Sequence, residues 1–318
     1  MKSLKTIRLI SILGIVALLS SWSVLFAARS ESPVEGGEVF RFAVIGDSGT
    51  GNRPQYRVAT QIRDRYLRSG LDFILMLGDN IYEHGDRGGY KKKFEEPYQY
   101  LISKGVQFYA VLGNHDVRWG NWRHAIKYPL FNMRGNRYYS LSFGKDLLQL
   151  FGLDSTTLSK RRSGDSRDPD QEQWFKKELQ SSTARWKIAF FHHPLYSSGK
   201  RHGGNKNVKK SLEELLREGR VKVVFSGHDH FYERLNQQQG VLYFVNGAAA
   251  KLRKGNLLKG SSLTACGNDQ ERSFLYVEVD AQELRFEAVS ETGRVFDKGT
   301  LSYHLKSGLQ LSAKCQTQ

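Results

Sequence analysis

Five short clusters in this 318-residue chain carry side chains that can hold a metal ion. They are Gly46-Asp47-Ser48-Gly49, Gly78-Asp79-Asn80-Ile81-Tyr82, Gly113-Asn114-His115-Asp116, His192-His193-Pro194 and Gly227-His228-Asp229-His230. A Gly-Asp-Ser-Gly block alone is an ordinary turn. Histidines on both sides of Asp229 are not needed to turn a chain. Together the clusters offer carboxylate, amide, phenol and imidazole groups, the ligand types of iron, zinc and manganese. Neither cysteine, Cys266 or Cys315, has metal-site spacing, so a thiolate zinc site is excluded. Tyr82 adds a phenol, whose pKa is ordinarily about 10. Only a strongly acidifying cation, such as ferric iron, holds a phenolate in acid.

Each cluster closes an apolar run, at 40–45, 73–77, 106–112, 187–191 and 221–225. Helical patterns at 55–67, 90–103, 171–180 and 207–218 lie between the runs. Strands alternating with helices predict an α/β sheet, whose loops beyond the strand carboxyl ends gather at one edge. The stretches 138–151, 241–246 and 274–295 read instead as hairpins and antiparallel strands. Mixed sheets with helices over their outer faces are therefore expected.

The blocks GDSG, GDNIY, GNHD, His192-x-Pro194 and GHDH resemble the five motifs of the purple acid phosphatases, a branch of the calcineurin-like metallophosphoesterases. The likeness runs over residues 39–250, includes Asn246-Gly247-Ala248-Ala249, and is similar in length to the small tartrate-resistant type. It implies a four-layer α/β sandwich of two mixed β-sheets flanked by helices, a catalytic domain at 39–305 and a tail at 306–318. It also implies a ferric ion at Asp47, Asp79, Tyr82 and His230. A divalent iron, zinc or manganese would sit at Asp79, Asn114, His192 and His228, with Asp79 bridging. His192 rather than His193 is the match, because the family ligand stands two residues before the proline.

The implied reaction is hydrolysis of phosphate monoesters by a metal-bound hydroxide. His115, oriented by Asp116, and Asn114 would meet the phosphate, with His115 a candidate proton donor. The loop 196–204 departs from the family pattern. His202 falls one residue beyond the small type's leaving-group histidine, and Arg201 takes that place. The segment reads either as a solvated surface loop or as a loop over the metal pair, where Arg201 would hold phosphate oxygens and His202 would donate the proton. Two alternatives are a phosphodiesterase of the same superfamily and a non-catalytic protein that binds anionic polymers. Tyr82 argues against the first. The second is disfavoured because degenerate enzymes lose ligands, and all seven are present.

The N-terminus carries Lys2, Lys5 and Arg8 before twenty uncharged residues at 9–28. As a helix this segment spans about 30 Å, enough to cross a bilayer. It reads either as a signal peptide cut near Ser21-Trp22-Ser23 or as an uncleaved membrane anchor. Both readings export the rest of the chain to a periplasmic, cell-surface or secreted location, with residues 29–38 as a linker. The formal charge of +16 favours anionic partners such as small phosphorylated substrates. Its basic runs, Lys91-Lys92-Lys93, Lys160-Arg161-Arg162 and Lys206 with Lys209-Lys210, are scattered and indicate no specific nucleic-acid partner. In an oxidising compartment the two cysteines can pair, if their Cα atoms come close enough.

Overall fold

The structure, a computed structural model, describes residues 37–159, 168–304 and 308–316. The export segment 1–28, most of the linker 29–38 and the basic run 160–162 lie outside the described residues. The strands are β1 Phe40–Ile45, β2 Phe73–Met76, β3 Gln107–Ala110, β4 Tyr139–Phe143, β5 Leu148–Gly152, β6 Trp186–Phe191 and β7 Val223–Ser226. They continue with β8 Tyr232–Leu235, β9 Leu242–Asn246, β10 Thr264–Asn268, β11 Ser273–Val279, β12 Glu283–Ser290, β13 Val295–His304 and β14 Gly308–Cys315. They form two seven-stranded sheets, ordered β14-β13-β12-β11-β1-β2-β3 and β10-β8-β9-β7-β6-β5-β4.

Both sheets are mixed: the parallel strands form one end of the first sheet and the centre of the second. β1, β2 and β3 run parallel in the first sheet, and β5, β6, β7 and β9 in the second. Strands buried on both faces need apolar residues at every position. Alternate side chains of the second sheet accordingly serve two cores. Ile188, Phe190, Val223 and Phe225 face the first sheet, while Ala189, Phe191 and Val224 pack with Phe175, Leu212 and Leu216 of the helices outside. The sheets meet face to face, with the rings of Phe42 and Phe225 edge-on at 6.3 Å. Fully burying one such side chain contributes about 1.5–3 kcal/mol.

The covering helices follow their sequence signals. Pro54 opens the helix Arg53–Ser69, which buries Gln55, Val58, Ala59 and Ile62 at helical spacing. The Asp168 carboxylate accepts from the Gln171 amide to cap Pro169–Ser181, and Asn205 caps Lys206–Glu218. The result is the expected helix–sheet–sheet–helix sandwich.

Two expectations need correction. β9 is not only antiparallel: it pairs antiparallel with β8 but parallel with β7. The segment assigned to a C-terminal tail contains β14, paired with β13 at the edge of the first sheet. A disulfide from Cys315 to Cys266, with Cα atoms 5.6 Å apart, joins that edge to β10 of the second sheet. Among the described residues, no helix is long and apolar enough to cross a membrane.

Candidate metal centre

The parallel strands deliver the five clusters to one edge of the sandwich. Loops after β1, β2 and β3 carry Asp47, Asp79 with Tyr82, and Asn114; loops after β6 and β7 carry His192, His228 and His230. The first sheet thus brings oxygen ligands and the second brings imidazoles. Asp47, Asp79 and His228 all hold left-handed backbone, at φ 55°, 53° and 71°. Such a conformation costs a non-glycine residue about 1–3 kcal/mol, and it recurs at binding sites. The loops also touch at the backbone. A Cβ on Gly113 would lie 2.1 Å from the Asp79 nitrogen, and one on Gly78 would lie 2.8 Å from His192 Nδ1.

The oxygen ligands converge without enough protons to serve them. The Tyr82 phenol lies 2.9 Å from Asp47 Oδ1 and 3.0 Å from Asp79 Oδ2, yet it has a single proton to donate. His230 Nε2 stands 3.4 Å from the same phenol and 3.3 Å from Asp47 Oδ1. Burial first, then the Asp47 and Asp79 carboxylates, raise the phenol well above its usual pKa. Burial also opposes ionisation of Asp47, but His230, His192 and the His228 amide keep its carboxyl below the ordinary range.

The nitrogen ligands show the same excess of acceptors. His192 Nδ1 donates to the Leu77 carbonyl at 2.9 Å, so Nε2 carries the lone pair of the neutral ring; burial opposes a second proton there, but the Asp79 and Asp47 carboxylates outweigh it and raise the pKa. That Nε2 lies 3.1 Å from Asn114 Oδ1, 3.1 Å from His228 Nδ1 and 3.6 Å from Asp79 Oδ2. Burial, followed by the surrounding His192, His193, His202 and His230, drives the His228 pKa far down and keeps its imidazole neutral. Converging carboxylates, a neutral imidazole and the His192 lone pair are a donor set that fits cations. His193 lies beside the cluster, its ring 4.5 Å from that of His228 and its Nδ1 3.0 Å from the Ser155 hydroxyl.

Asp116 does not do what the sequence suggested. Its buried carboxylate accepts from the backbone amides of Asn80, Ile81 and Gly113 and from the Asn80 side chain, at 2.8–3.1 Å. It clamps the Asp79 loop to the Asn114 loop. Burial, then the nearby Asp79 charge, raises its pKa to about 7. His115 is oriented by the Glu83 carbonyl, 2.5 Å from Nδ1, and its backbone amide donates to Asp79 Oδ1 at 2.8 Å. Its Nε2 faces the centre, 3.9 Å from Asp79 Oδ2.

The 196–204 loop reaches the site. The His202 ring lies against that of His228, centroids 4.3 Å apart. Burial, then Arg253, His230 and Arg201, lower its pKa to about 4. Arg201 is exposed beside it. Sequence reasoning missed Lys251 and Arg253. Lys251 sets its ammonium 4.3 Å above the Tyr82 ring and 3.2 Å from Glu83 Oε1. Its amide donates to the Asp47 carbonyl, and that of Arg253 to the His230 carbonyl. Their signal was present: both follow the Asn246-Gly247-Ala248-Ala249 segment, just beyond the end of β9.

The description of calcineurin-like phosphoesterases matches residues 40–232. The chain is 30% identical over 251 residues to purple acid phosphatase 17 of Arabidopsis thaliana, covering 72% of this chain and 74% of that protein. It is 29% identical to human tartrate-resistant acid phosphatase type 5, covering 82% and 90% respectively. In fold it is similar to GAP50 of Plasmodium, described as the anchor in the inner membrane complex. The TM-score is 0.73 at 20% identity, over 85% of this chain and 90% of that one.

Proposed function

This chain belongs to the calcineurin-like phosphoesterases, on the purple acid phosphatase branch, and from that premise we propose how its own residues divide the work. The protein is a metal-dependent hydrolase of phosphate monoesters that uses two metal ions and acts on small phosphorylated substrates. Asp47, Asp79, Tyr82 and His230 would hold a ferric ion. Asp79, Asn114, His192 and His228 would hold a divalent iron, zinc or manganese. The observation that carries this division is the position of Asp79 Oδ2. It lies 3.0 Å from the Tyr82 phenol in the oxygen-rich cluster and 3.6 Å from His192 Nε2 in the nitrogen-rich one.

When bound, the cations act as Lewis acids on the phosphoryl group and on a water molecule. The protein's residues bind, orient and move protons. Asn114 turns Oδ1 toward His192 and keeps its amide hydrogens for a phosphate oxygen. His115, whose Nδ1 donates to the Glu83 carbonyl, presents Nε2 to the leaving oxygen and can give it a proton as the imidazolium. His202, its ring tilted against that of His228, is the second candidate donor. Asp116 acts one step back, by fixing the spacing between the Asp79 and Asn114 loops.

Export of the chain, with residues 9–28 as signal or anchor, is supported by the Cys266–Cys315 disulfide, a bond kept in oxidising compartments. The deciding assay measures bound metals together with hydrolysis of a chromogenic monoester and a chromogenic diester. Two metals per chain and preference for the monoester are expected. Metal-free protein without hydrolysis, or a preferred diester, would overturn the reading.

A further inference from the structure

Two loops that carry arginines are fastened together beside the centre. Gly199 and Leu257 form an antiparallel bridge, the Lys200 amide donates to the Asn256 carbonyl at 2.8 Å, and the Arg201 amide to Asn256 Oδ1 at 3.1 Å. Asp229, between the two metal-site histidines, ties both loops down. It accepts from Ser197 Oγ at 2.6 Å, the Gly203 amide at 3.1 Å and Asn256 Nδ2 at 3.4 Å. A Cβ on Gly199 would fall 2.3 Å from Asp229 Oδ2, so the contact requires glycine there.

This clamp joins the loop that carries Arg201 to the one that carries Arg253, and the Arg253 amide donates to the His230 carbonyl at the centre. Arg253 Nη1 is buried and has no hydrogen-bond partner. A buried, unpaired donor on a cation is expensive, and the cost falls when an anion arrives. Guanidiniums on two loops fastened in this way can share the oxygens of one phosphate.

We propose that Arg201 and Arg253 form a second anion subsite, which holds a phosphate of the substrate other than the one being hydrolysed. The substrate class is then a bisphosphorylated ester. Water oxygen bonds to the phosphorus at the metals, the ester P–O bond there breaks, and the alcohol oxygen leaves with a proton. The second phosphate stays intact on the arginines. This inference rests on the hydrolase reading above.

The test compares kcat/KM for propanediol bisphosphate and propyl phosphate, which share an alkyl leaving group, using the metal-loaded full chain. The bisphosphate should be favoured by about tenfold or more, the usual worth of a charge-assisted contact. Arg253→Gln and Arg201→Gln should each remove most of that preference. Lys254→Gln, which removes an exposed charge next door, should keep it. Calorimetric binding of propane bisphosphonate against propyl phosphonate should follow the same order without turnover. Equal use of both esters would overturn the subsite and leave the hydrolase reading intact, as would an unchanged preference in Arg201→Gln, whose exposed side chain puts folding little at risk. Arginine-dependent bisphosphonate binding without any hydrolysis would do the reverse.

Discussion

Tyr82 and Asp79, three residues apart on one loop, meet phenol to carboxylate at 3.0 Å, and Asp47 takes the other side of the same phenol at 2.9 Å. One proton cannot serve both carboxylates. A cation that replaces it satisfies all three oxygens at once, and this contact supplies the first prediction.

A ferric phenolate absorbs visible light by charge transfer. The purified protein should be violet to pink, and Tyr82→Phe should lose the colour while keeping its fold by circular dichroism. Iron-free protein that is colourless and fully active with zinc or manganese would sink the ferric assignment.

Asp79→Ala should lose both metals, because its Oδ2 is common to the two clusters. His115→Ala should keep both and lower turnover by about 10²–10⁴. Metal content by elemental analysis separates the two variants. Loss of metal from His115→Ala would make that residue a ligand.

Asp116→Asn sets an amide N–H against the backbone donors of Asn80, Ile81 or Gly113. A buried mismatch of this kind costs about 1–3 kcal/mol. Denaturant unfolding should show that loss, together with weaker metal retention. A variant of normal stability and metal content, slowed only in turnover, would return Asp116 to a direct part in the reaction.

His202→Ala should slow alkyl phosphates much more than nitrophenyl phosphate, since an alkoxide needs a proton to leave and a nitrophenolate does not. Equal effects on both would leave His115 as the donor and give the 196–204 loop a binding role alone.

The double variant Cys266→Ser with Cys315→Ser opens a loop of sequence separation 49. In the chain-entropy account this costs about 4 kcal/mol, measured as a lower midpoint of unfolding. The metals should remain, because the bridge joins the edge strands β10 and β14, whereas the candidate ligands follow β1, β2, β3, β6 and β7. Unchanged stability would mean that β14 is held by its pairing with β13 without the disulfide.

The sequence by itself determined the alternating elements and the types of side chain that the clusters offer. Apolar runs such as 40–45 and 187–191 end where Asp47 and His192 begin, and strand-to-loop boundaries are local signals. Chain order sets the polar clusters in five loops, and the family resemblance names seven ligand candidates among them. What only the tertiary structure decided depends on partners far apart in sequence. Asp116 looked like the orienter of its neighbour His115, but its carboxylate goes to amides 36 and 35 residues away, at Asn80 and Ile81. β14 pairs only because β13 offers it an edge, and Cys315 finds Cys266 across the two sheets. Arg253 gains its place through the bridge between Gly199 and Leu257 and the clamp of Asp229. Local periodicity fixes which segments fold into strands and helices. Which loops then touch is settled by packing two twisted sheets against each other, and that information is spread over the whole chain.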